Sequence, residues 1–377
     1  MAKGAYIGVD NLARKIKKGY IGVDNIARKI KKAYIGIGGV ARPCWSSGLE
    51  YYGAITPLSV GRYSTAATTI GDYALFGGGT SYSTVVDAYN TSLTRSTPTA
   101  LSEGRTEFAA TSVGNYALFG GGKTGTSISS QSTVVDAYNT SLTRSTPTAL
   151  SLRRMYLAAT TVGSYALFAG GQNSTTLSAA VDTVDAYNKS LTRSTPTALS
   201  TVRTQHSATT IGNYALFGGG YDTSYSTVVD AYNKSLTRST PTALSEGRAY
   251  LAATTVGSYA LFGGGTISNG IYRSNVDAYN TSLTRSTPTA LRLARAYLAA
   301  TTVGNYAIFV GGQGTSGIEG SNVADVYDIS LTRTNITALS VARQEIGATT
   351  IGNYAIFAGG YGGYNVATDP VDAYVVS

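Results

Sequence analysis

Short apolar strand patterns recur along this chain at a nearly constant interval. Each consists of Tyr-Ala-Leu or Tyr-Ala-Ile followed by Phe and small residues, with polar turn residues on either side. The copies begin at Tyr73, Tyr116, Tyr165, Tyr214, Tyr259, Tyr306 and Tyr354. Their spacings lie between 43 and 49 residues. Self-similarity at such a period predicts a series of structurally equivalent units, here seven.

The fourth unit illustrates the four short strands, A to D, that each unit predicts. Strand A is expected at Ser207–Ile211 and strand B at Tyr214–Phe217, joined by a Gly-Asn pair that tolerates the positive φ of a two-residue hairpin turn. Strand C is expected near Thr227–Tyr232 and strand D near Thr237–Leu244. Strands this short, and apolar on both faces, favour sheets packed face to face around an axis. The pattern therefore predicts an all-β fold, a seven-bladed β-propeller with four-stranded blades.

A proline falls at the centre of the predicted strand D in five units. These are Pro98, Pro147, Pro196, Pro241 and Pro288. Because proline cannot donate a ladder hydrogen bond, it belongs on an edge strand. Strand D is therefore predicted to be the outermost strand of each blade.

The two ends of the repeat region complement each other. The last unit stops at Val371–Tyr374, directly after strand C, and has no strand D of its own. Ahead of the first strand A, Tyr52–Leu58 matches the D pattern in length and in its closing Leu-Ser. This segment is predicted to pair with Val371–Tyr374 and so to close the ring.

Charge divides the 377-residue chain into two regions. Residues 1–45 hold ten Lys and Arg against two Asp, whereas the remainder holds 19 basic and 18 acidic residues. The basic character thus belongs to the N-terminal region. Nucleic-acid binding by the repeat region is not expected, because its many aromatic residues are not interleaved with Lys or Arg. We expect an N-terminal segment at 1–48, for attachment or oligomerisation, and a propeller at 49–377.

The N-terminal segment has a repeat of its own, at a spacing of 14 residues. Its copies start at Tyr6, Tyr20 and Tyr34, and the pairs Asp10-Asn11, Asp24-Asn25 and Gly38-Gly39 occupy equivalent positions. Because such pairs suit two-residue hairpin turns, a three- or four-stranded meander is expected. A basic amphipathic helix is the rival interpretation, which the glycines of each repeat disfavour.

The residue counts argue against catalysis. The chain has one histidine, His206, and one cysteine, Cys44. A His-rich metal centre or a disulfide within the chain cannot be built from them, and nothing marks a nucleophile for a triad. We expect no enzyme activity, metal or cofactor. No secretory signal or apolar membrane-spanning run is apparent, which predicts a soluble protein.

Two charged residues recur in every unit. The arginines are Arg62, Arg105, Arg154, Arg203, Arg248, Arg295 and Arg343. The aspartates are Asp87, Asp136, Asp185, Asp230, Asp277, Asp325 and Asp372. A residue repeated in every blade is most simply structural, so the arginines are expected to form a structural ring that pairs with aspartates or loop carbonyls. An anion-binding ring at the channel mouth is the alternative.

Variation among the units is concentrated in the B–C loop and in the D–A connection just after the repeated arginine. In an up-and-down blade both project from the same face, where loops meet solvent and partners. Tyrosine with carboxylate or amide groups suits recognition of a sugar or polar surface. The candidate ligand-binding residues are Tyr63, Glu107, Tyr156, Gln205, His206, Tyr250, Tyr272, Tyr297, Glu345 and Tyr361. Ordinary loop drift is the alternative, as is a packing role for His206.

Each unit resembles the kelch repeat, with an arginine before strand A, paired glycines after strand B and Val-x-x-Tyr-Asn/Asp in strand C. The usual kelch tryptophan is missing, since the only tryptophan is Trp45. The 14-residue repeats resemble those of prophage tail-associated proteins of Gram-positive bacteria. That resemblance implies virion tail partners, a bacterial surface glycan or protein as ligand, and a location in the phage tail, or in the bacterial cytoplasm before lysis. A structural tail-decoration or spacer protein, a propeller enzyme and homo-oligomerisation remain alternatives.

Overall fold

The computed structural model describes residues 48–174, 179–268, 270–314, 320–363 and 366–376, and the backbone strands within residues 1–47. The described propeller residues form seven antiparallel sheets of four strands, arranged as a seven-bladed β-propeller. Strand A of each blade contacts strand A of both neighbouring blades, and the seventh contacts the first. The ring is therefore closed around a central channel, as the repeats predict.

Within each blade the strands follow the order A, B, C, D from the channel outwards. The A strands are Ala66–Ile70, Ala109–Val113, Ala158–Val162, Ser207–Ile211, Ala252–Val256, Ala299–Val303 and Gly347–Ile351. The B strands are Tyr73–Gly77, Tyr116–Gly120, Tyr165–Ala169, Tyr214–Gly218, Tyr259–Gly263, Tyr306–Val310 and Tyr354–Tyr361. The C strands are Val86–Asn90, Val135–Asn139, Val184–Asn188, Val229–Asn233, Val276–Asn280, Ala324–Asp328 and Ala367–Val376.

Strand D is shorter than the sequence predicts. The first six D strands are Arg95–Ser96, Arg144–Ser145, Arg193–Ser194, Arg238–Ser239, Arg285–Ser286 and Arg333–Asn335. The expected strand at Thr237–Leu244 is thus limited to two residues, and Pro241 lies two positions beyond its end. Placing proline at the strand centre was wrong. Because proline cannot continue the ladder, it follows the point where the edge strand stops pairing.

The burial pattern explains why these residues form these strands. In strand A, Ala158, Thr160 and Val162 are buried while the residues between them are half-buried, as expected of a strand with one face on the channel. In strand B every residue after the tyrosine is buried, because blades pack on both of its faces. Small residues at its end permit this packing: a Cβ added at Gly120 would lie 2.9 Å from Phe168 of the next blade.

Strand D of the seventh blade comes from the front of the propeller. Leu49–Ile55 pairs with strand C of that blade, with Val371 opposite Ile55 and Val376 opposite Leu49. The predicted closure is confirmed, but the strand begins three residues earlier than Tyr52 and ends at Ile55. Leu58 follows the strand and donates a backbone hydrogen bond of 2.9 Å to the carbonyl of Asp369.

The described strands of the N-terminal segment form three separate two-stranded hairpins. Their strands are Tyr6–Val9 with Leu12–Lys15, Gly19–Val23 with Ile26–Ile30, and Lys32–Ile37 with Val40–Ser46. Val9 pairs with Leu12, and Val23 pairs with Ile26. The predicted turn pairs Asp10-Asn11, Asp24-Asn25 and Gly38-Gly39 lie outside the described residues. The three- or four-stranded meander was wrong for these residues, because each 14-residue repeat pairs within itself.

Three smaller elements lie in the B–C loops. A 3₁₀ turn spans Thr80–Tyr82 in the first blade. The fifth blade carries a hairpin of Thr266–Ser268 and Ile271–Tyr272.

In the part of the chain that the structure describes, no helix has the length and apolar character that crossing a membrane requires.

Candidate functional site

A buried ion pair anchors the start of every blade. The arginine that precedes strand A donates to the aspartate of strand C and to the backbone carbonyl of the strand B phenylalanine, as in Arg203 with Asp230 at 2.6 Å and Phe217 at 3.1 Å. The same ion pair forms in all seven blades. All seven arginine side chains are at most 1% exposed, which places their charges away from solvent at the channel mouth.

The same aspartates bind a second group, from strand D. In blades one to six this is an arginine, at 2.8 to 3.8 Å and about a quarter exposed, such as Arg285 with Asp277. The seventh blade has no arginine there, and the hydroxyl of Tyr51 donates to Asp372 at 2.5 Å instead. Each aspartate therefore joins the outer and inner strands of its blade, and the closing strand uses a different residue type for the purpose.

Seven residues surround the mouth of the channel, each two positions after a buried arginine. They are Ser64, Glu107, Tyr156, Gln205, Tyr250, Tyr297 and Glu345, and all have a positive φ of 53° to 58°. We call them the mouth ring. Six of its seven neighbouring pairs are linked by a backbone hydrogen bond from one blade to the next, such as Tyr250 N to the carbonyl of Gln205 at 3.0 Å. The ring thus holds its side chains in fixed positions around the axis.

The mouth ring opens onto a cavity of about 560 Å³, which we call the mouth cavity. Its lining residues are Tyr63, Ser64, Thr65, Glu107, Phe108, Tyr156, Tyr250, Tyr297, Gln313, Gln344, Glu345, Ile346 and Tyr361. Gln313 lies in a B–C loop, and Tyr361 ends the long B strand of blade seven, next to its B–C loop. The other lining residues belong to D–A connections or the residues beside them. The two variable elements of the repeat thus meet in one cavity, on one face of the disc.

Tyrosines cluster on one side of this cavity. The rings of Tyr250 and Tyr297 lie 4.1 Å apart between centroids, with an angle of 35° between their planes. Tyr156 meets Tyr250 edge to face at 6.5 Å. A second pair, Tyr63 and Tyr361, packs edge to face at 5.3 Å. Burial raises the pKa of Tyr297 to about 12, so its hydroxyl stays protonated at neutral pH.

Two carboxylates face the cavity from blades two and seven. Glu107 pairs with Lys123 at 3.2 Å, and the Tyr156 hydroxyl lies beside it. Glu345 accepts a hydrogen bond from the Ser64 hydroxyl across the seam where the ring closes. Burial, with a smaller contribution from Glu107, raises the pKa of Glu345, while the Ser64 hydrogen bond opposes the rise.

Three of the candidate residues are not among those that line the mouth cavity. Gln205 and His206 line an adjoining cavity of about 240 Å³, and Tyr272 lies on the small hairpin of blade five. His206 is 7% exposed and packs on Phe217 with ring centroids 6.1 Å apart. Burial, and then the charge of Arg203, lower its pKa well below the usual value. His206 therefore packs between blades as a neutral side chain.

The channel holds a set of hydroxyls that the sequence analysis missed. A Thr-Thr pair in strand A joins neighbouring blades through hydroxyl–hydroxyl bonds of 2.7 to 2.9 Å at six of the seven interfaces. They line a space of about 440 Å³. At the remaining interface Ser112 replaces the second threonine, and no such bond forms between described residues. The repeated Ala-Thr-Thr of strand A was the available indication.

The N-terminal segment joins the propeller on the face opposite the mouth cavity. Leu49 pairs with Val376, whose backbone N–H donates to Asn353 in an A–B turn at 3.0 Å. Gly48 is also adjacent to Tyr306, the first residue after another A–B turn. The A–B and C–D turns of neighbouring blades pack together on this face, as where the Lys189 side chain lies over Gly114. We call it the turn face.

No protein-family model matches this chain, and no curated protein sequence has significant similarity to it. Among the described residues, no group of three or more His, Cys, Asp and Glu side chains is placed to hold a metal ion.

Proposed function

We propose that this chain is a non-catalytic binding module, carried on a phage tail, whose mouth cavity contacts a glycan or protein on a bacterial surface. The N-terminal segment attaches it to other tail proteins. The kelch-like pattern of each unit and the resemblance of the 14-residue repeats to tail-associated proteins support this assignment.

The observation that carries the proposal is the backbone of the mouth ring. A left-handed conformation costs a residue with a side chain about 1 to 3 kcal/mol, and glycine adopts it freely. The chain contains 45 glycines and uses them at the paired positions after strand B, yet none of the seven ring residues is glycine. Leucines of the C–D turns, such as Leu93 and Leu142, have the same conformation without variation between blades. The mouth ring differs because its residue types change from blade to blade around one cavity, and that variation is what supports a binding site.

The composition of the cavity fits a polar ligand. Ligand sites of a few hundred Å³ combine flat apolar surfaces with a small number of placed polar groups. Here tyrosine rings provide the surfaces, and Glu345, Gln313 and Gln344 provide the polar groups. Tyrosine can pack on the apolar face of a sugar while its hydroxyl stays available.

Attachment and ligand binding are assigned to opposite faces of the disc. The chain reaches the propeller at Gly48 on the turn face, and the mouth cavity opens on the other. A module attached through residues before Gly48 therefore presents its cavity away from the attachment point. The turns themselves are nearly identical in all blades, which suits a face selected for packing rather than recognition.

Glycan-array and whole-cell binding by the full chain test this function. The expected result is saturable binding to a subset of bacterial strains or glycans, lost in a variant with Tyr250→Ala and Tyr297→Ala. A folded protein that binds no strain and no glycan would contradict the proposal and favour a spacer or decoration protein. Turnover of a bound polysaccharide would contradict the non-catalytic assignment.

A further inference from the structure

The mouth cavity has an excess of negative charge. Two carboxylates, Glu107 and Glu345, lie among its lining residues, and that described lining contains no lysine or arginine. Lys123 pairs with Glu107 from outside the lining and bonds only to Oε1. Among the described residues, Glu345 therefore has no lysine or arginine paired with it.

The oxygen atoms of these two carboxylates accept fewer hydrogen bonds from the described residues than they could. Oε2 of Glu107 is buried, and no donor among the described residues meets it at hydrogen-bonding geometry, although the Tyr156 hydroxyl is close by. Among the described residues, the neutral Ser64 hydroxyl is the one donor to the Glu345 carboxylate. A buried acceptor without a donor is unfavourable, so a ligand that donates to both groups would gain from the arrangement.

Aromatic rings surround the same space. Tyr156, Tyr250 and Tyr297 lie on one side, and Tyr63 and Tyr361 contribute from the first and seventh blades. The face of an aromatic ring attracts a cation, and the attraction strengthens where water is excluded. Carboxylates and several tyrosines around one cavity form an environment for a positively charged group.

We propose that the mouth cavity recognises the protonated amine of an amino sugar, so that the surface glycan bound by this protein carries unacetylated amino groups. This inference rests on the proposed function and narrows its ligand. A sugar suits the cavity better than a lysine side chain, because Gln313, Gln344 and Ser64 offer partners for ring hydroxyls. The stacked Tyr250 and Tyr297 offer a broad surface for the apolar face of the ring.

Two oligosaccharides that differ in charge test the inference on the full chain. A glucosamine tetramer and an N-acetylglucosamine tetramer are titrated against the protein by calorimetry near pH 6.5, where the free amines are protonated. The glucosamine tetramer is expected to bind at least about tenfold more tightly, equivalent to roughly 1.4 kcal/mol. Equal binding of the two, or tighter binding of the acetylated form, overturns the inference.

Matched variants assign the effect to the cavity. Glu345→Gln keeps the shape and removes the charge, and it is expected to weaken the glucosamine tetramer about tenfold. Asp72→Asn removes an exposed carboxylate from an A–B turn on the turn face, and should leave affinity unchanged. Equal losses in both variants would indicate a general charge effect and overturn the inference. Thermal melts of both proteins establish that each is folded.

The remaining outcomes separate this inference from the proposed function. In one outcome, cell binding needs Tyr250 and Tyr297 but not Glu345, and it persists after the surface amines are acetylated. That result would overturn the recognition of an amine and would still support the proposed binding function. An oligolysine peptide that binds more tightly than the sugar, and depends on Glu345, overturns the sugar assignment. Loss of all cell and glycan binding overturns both.

Discussion

The hydroxyl of Tyr51 donates a 2.5 Å hydrogen bond to Oδ1 of Asp372, a residue 321 positions further along the chain. Asp372 is buried, and Arg343 occupies its other oxygen at 2.7 Å. In six blades an arginine of strand D makes the contact that Tyr51 makes here. Tyr51 and Asp372 thus connect the first strand of the propeller to its last. At this point the ring is closed by strand pairing rather than by a continuous chain.

Removing this hydroxyl should weaken the closure. Tyr51→Phe is expected to lower the free energy of unfolding by about 1 to 3 kcal/mol, because a buried carboxylate oxygen loses its short hydrogen bond. Urea unfolding measures the change. Tyr214→Phe is the control, since the Tyr214 hydroxyl has no hydrogen-bond partner among the described residues. Equal effects of the two substitutions would refute a role for the Tyr51 hydroxyl in closure.

The two arginines that bind one aspartate should differ in how much they contribute to the free energy of unfolding. Arg203 is fully buried and lies 2.6 Å from Asp230, whereas Arg238 is 26% exposed and lies 3.7 Å away. Arg203→Met is expected to destabilise by about 3 to 5 kcal/mol, because it leaves a buried carboxylate without its main cation. Arg238→Met should cost about 1 kcal/mol or less. Denaturant unfolding of both variants checks the order, and a reversed order would contradict the structural role of the buried ring.

The threonine hydroxyls of the channel predict a stabilising substitution. At the interface of blades one and two, Ser112 stands where the other blades place the threonine that bonds its neighbour. Ser112→Thr is expected to raise stability by roughly 0.5 to 1.5 kcal/mol, since the branched side chain fixes the hydroxyl and adds one hydrogen bond. Calorimetric melting measures it, with Ser258→Thr on an exposed turn as the control. No gain over that control would contradict the prediction.

Acid should destabilise the protein through His206. Because the folded pKa lies below the unfolded value of about 6.5, the histidine does not affect stability above pH 7.5. As the pH falls below about 6.5, the unfolded chain binds a proton that the folded chain excludes. Stability is then lost at up to about 1.4 kcal/mol per pH unit.

The substitution His206→Leu should remove that component. Leucine occupies the equivalent position at Leu157, Leu251 and Leu298, so the site accepts it. The difference in unfolding free energy between variant and wild type is expected to grow by about 1 kcal/mol between pH 7.5 and 5.5. Urea titrations at the two values measure it. A difference that is the same at both would show that His206 is not held neutral by burial.

The repeat period and strand patterns were sufficient to predict the propeller. Strand A of blade four begins and ends where the sequence places it, because a glycine turn bounds it on one side. The closing strand begins three residues before the predicted start, because strand C of the seventh blade continues to Val376 and pairs there with Leu49. The length of strand D was overestimated, because its sequence pattern continues past the residues that pair with strand C.

The candidate site could be located from the sequence, but its contacts could not. Variation after the repeated arginine indicated which residues surround the channel mouth. Glu345 contacts Ser64 because the seventh blade lies beside the first. The two residues are far apart in the sequence, so nothing in the sequence indicated this contact. The positive φ of the mouth ring was likewise unexpected, because residues such as Tyr250 rarely adopt it.

Variants of the two faces of the disc show whether the mouth cavity is where cells are bound. The full chain is compared with a mouth-cavity variant, Tyr250→Ala with Tyr297→Ala, and a turn-face variant, Lys189→Ala with Lys234→Ala, in binding to the same bacterial cells. Only the mouth-cavity variant is expected to lose affinity, by tenfold or more, while both remain folded. Unchanged binding by the mouth-cavity variant, or loss in the turn-face variant alone, would contradict it.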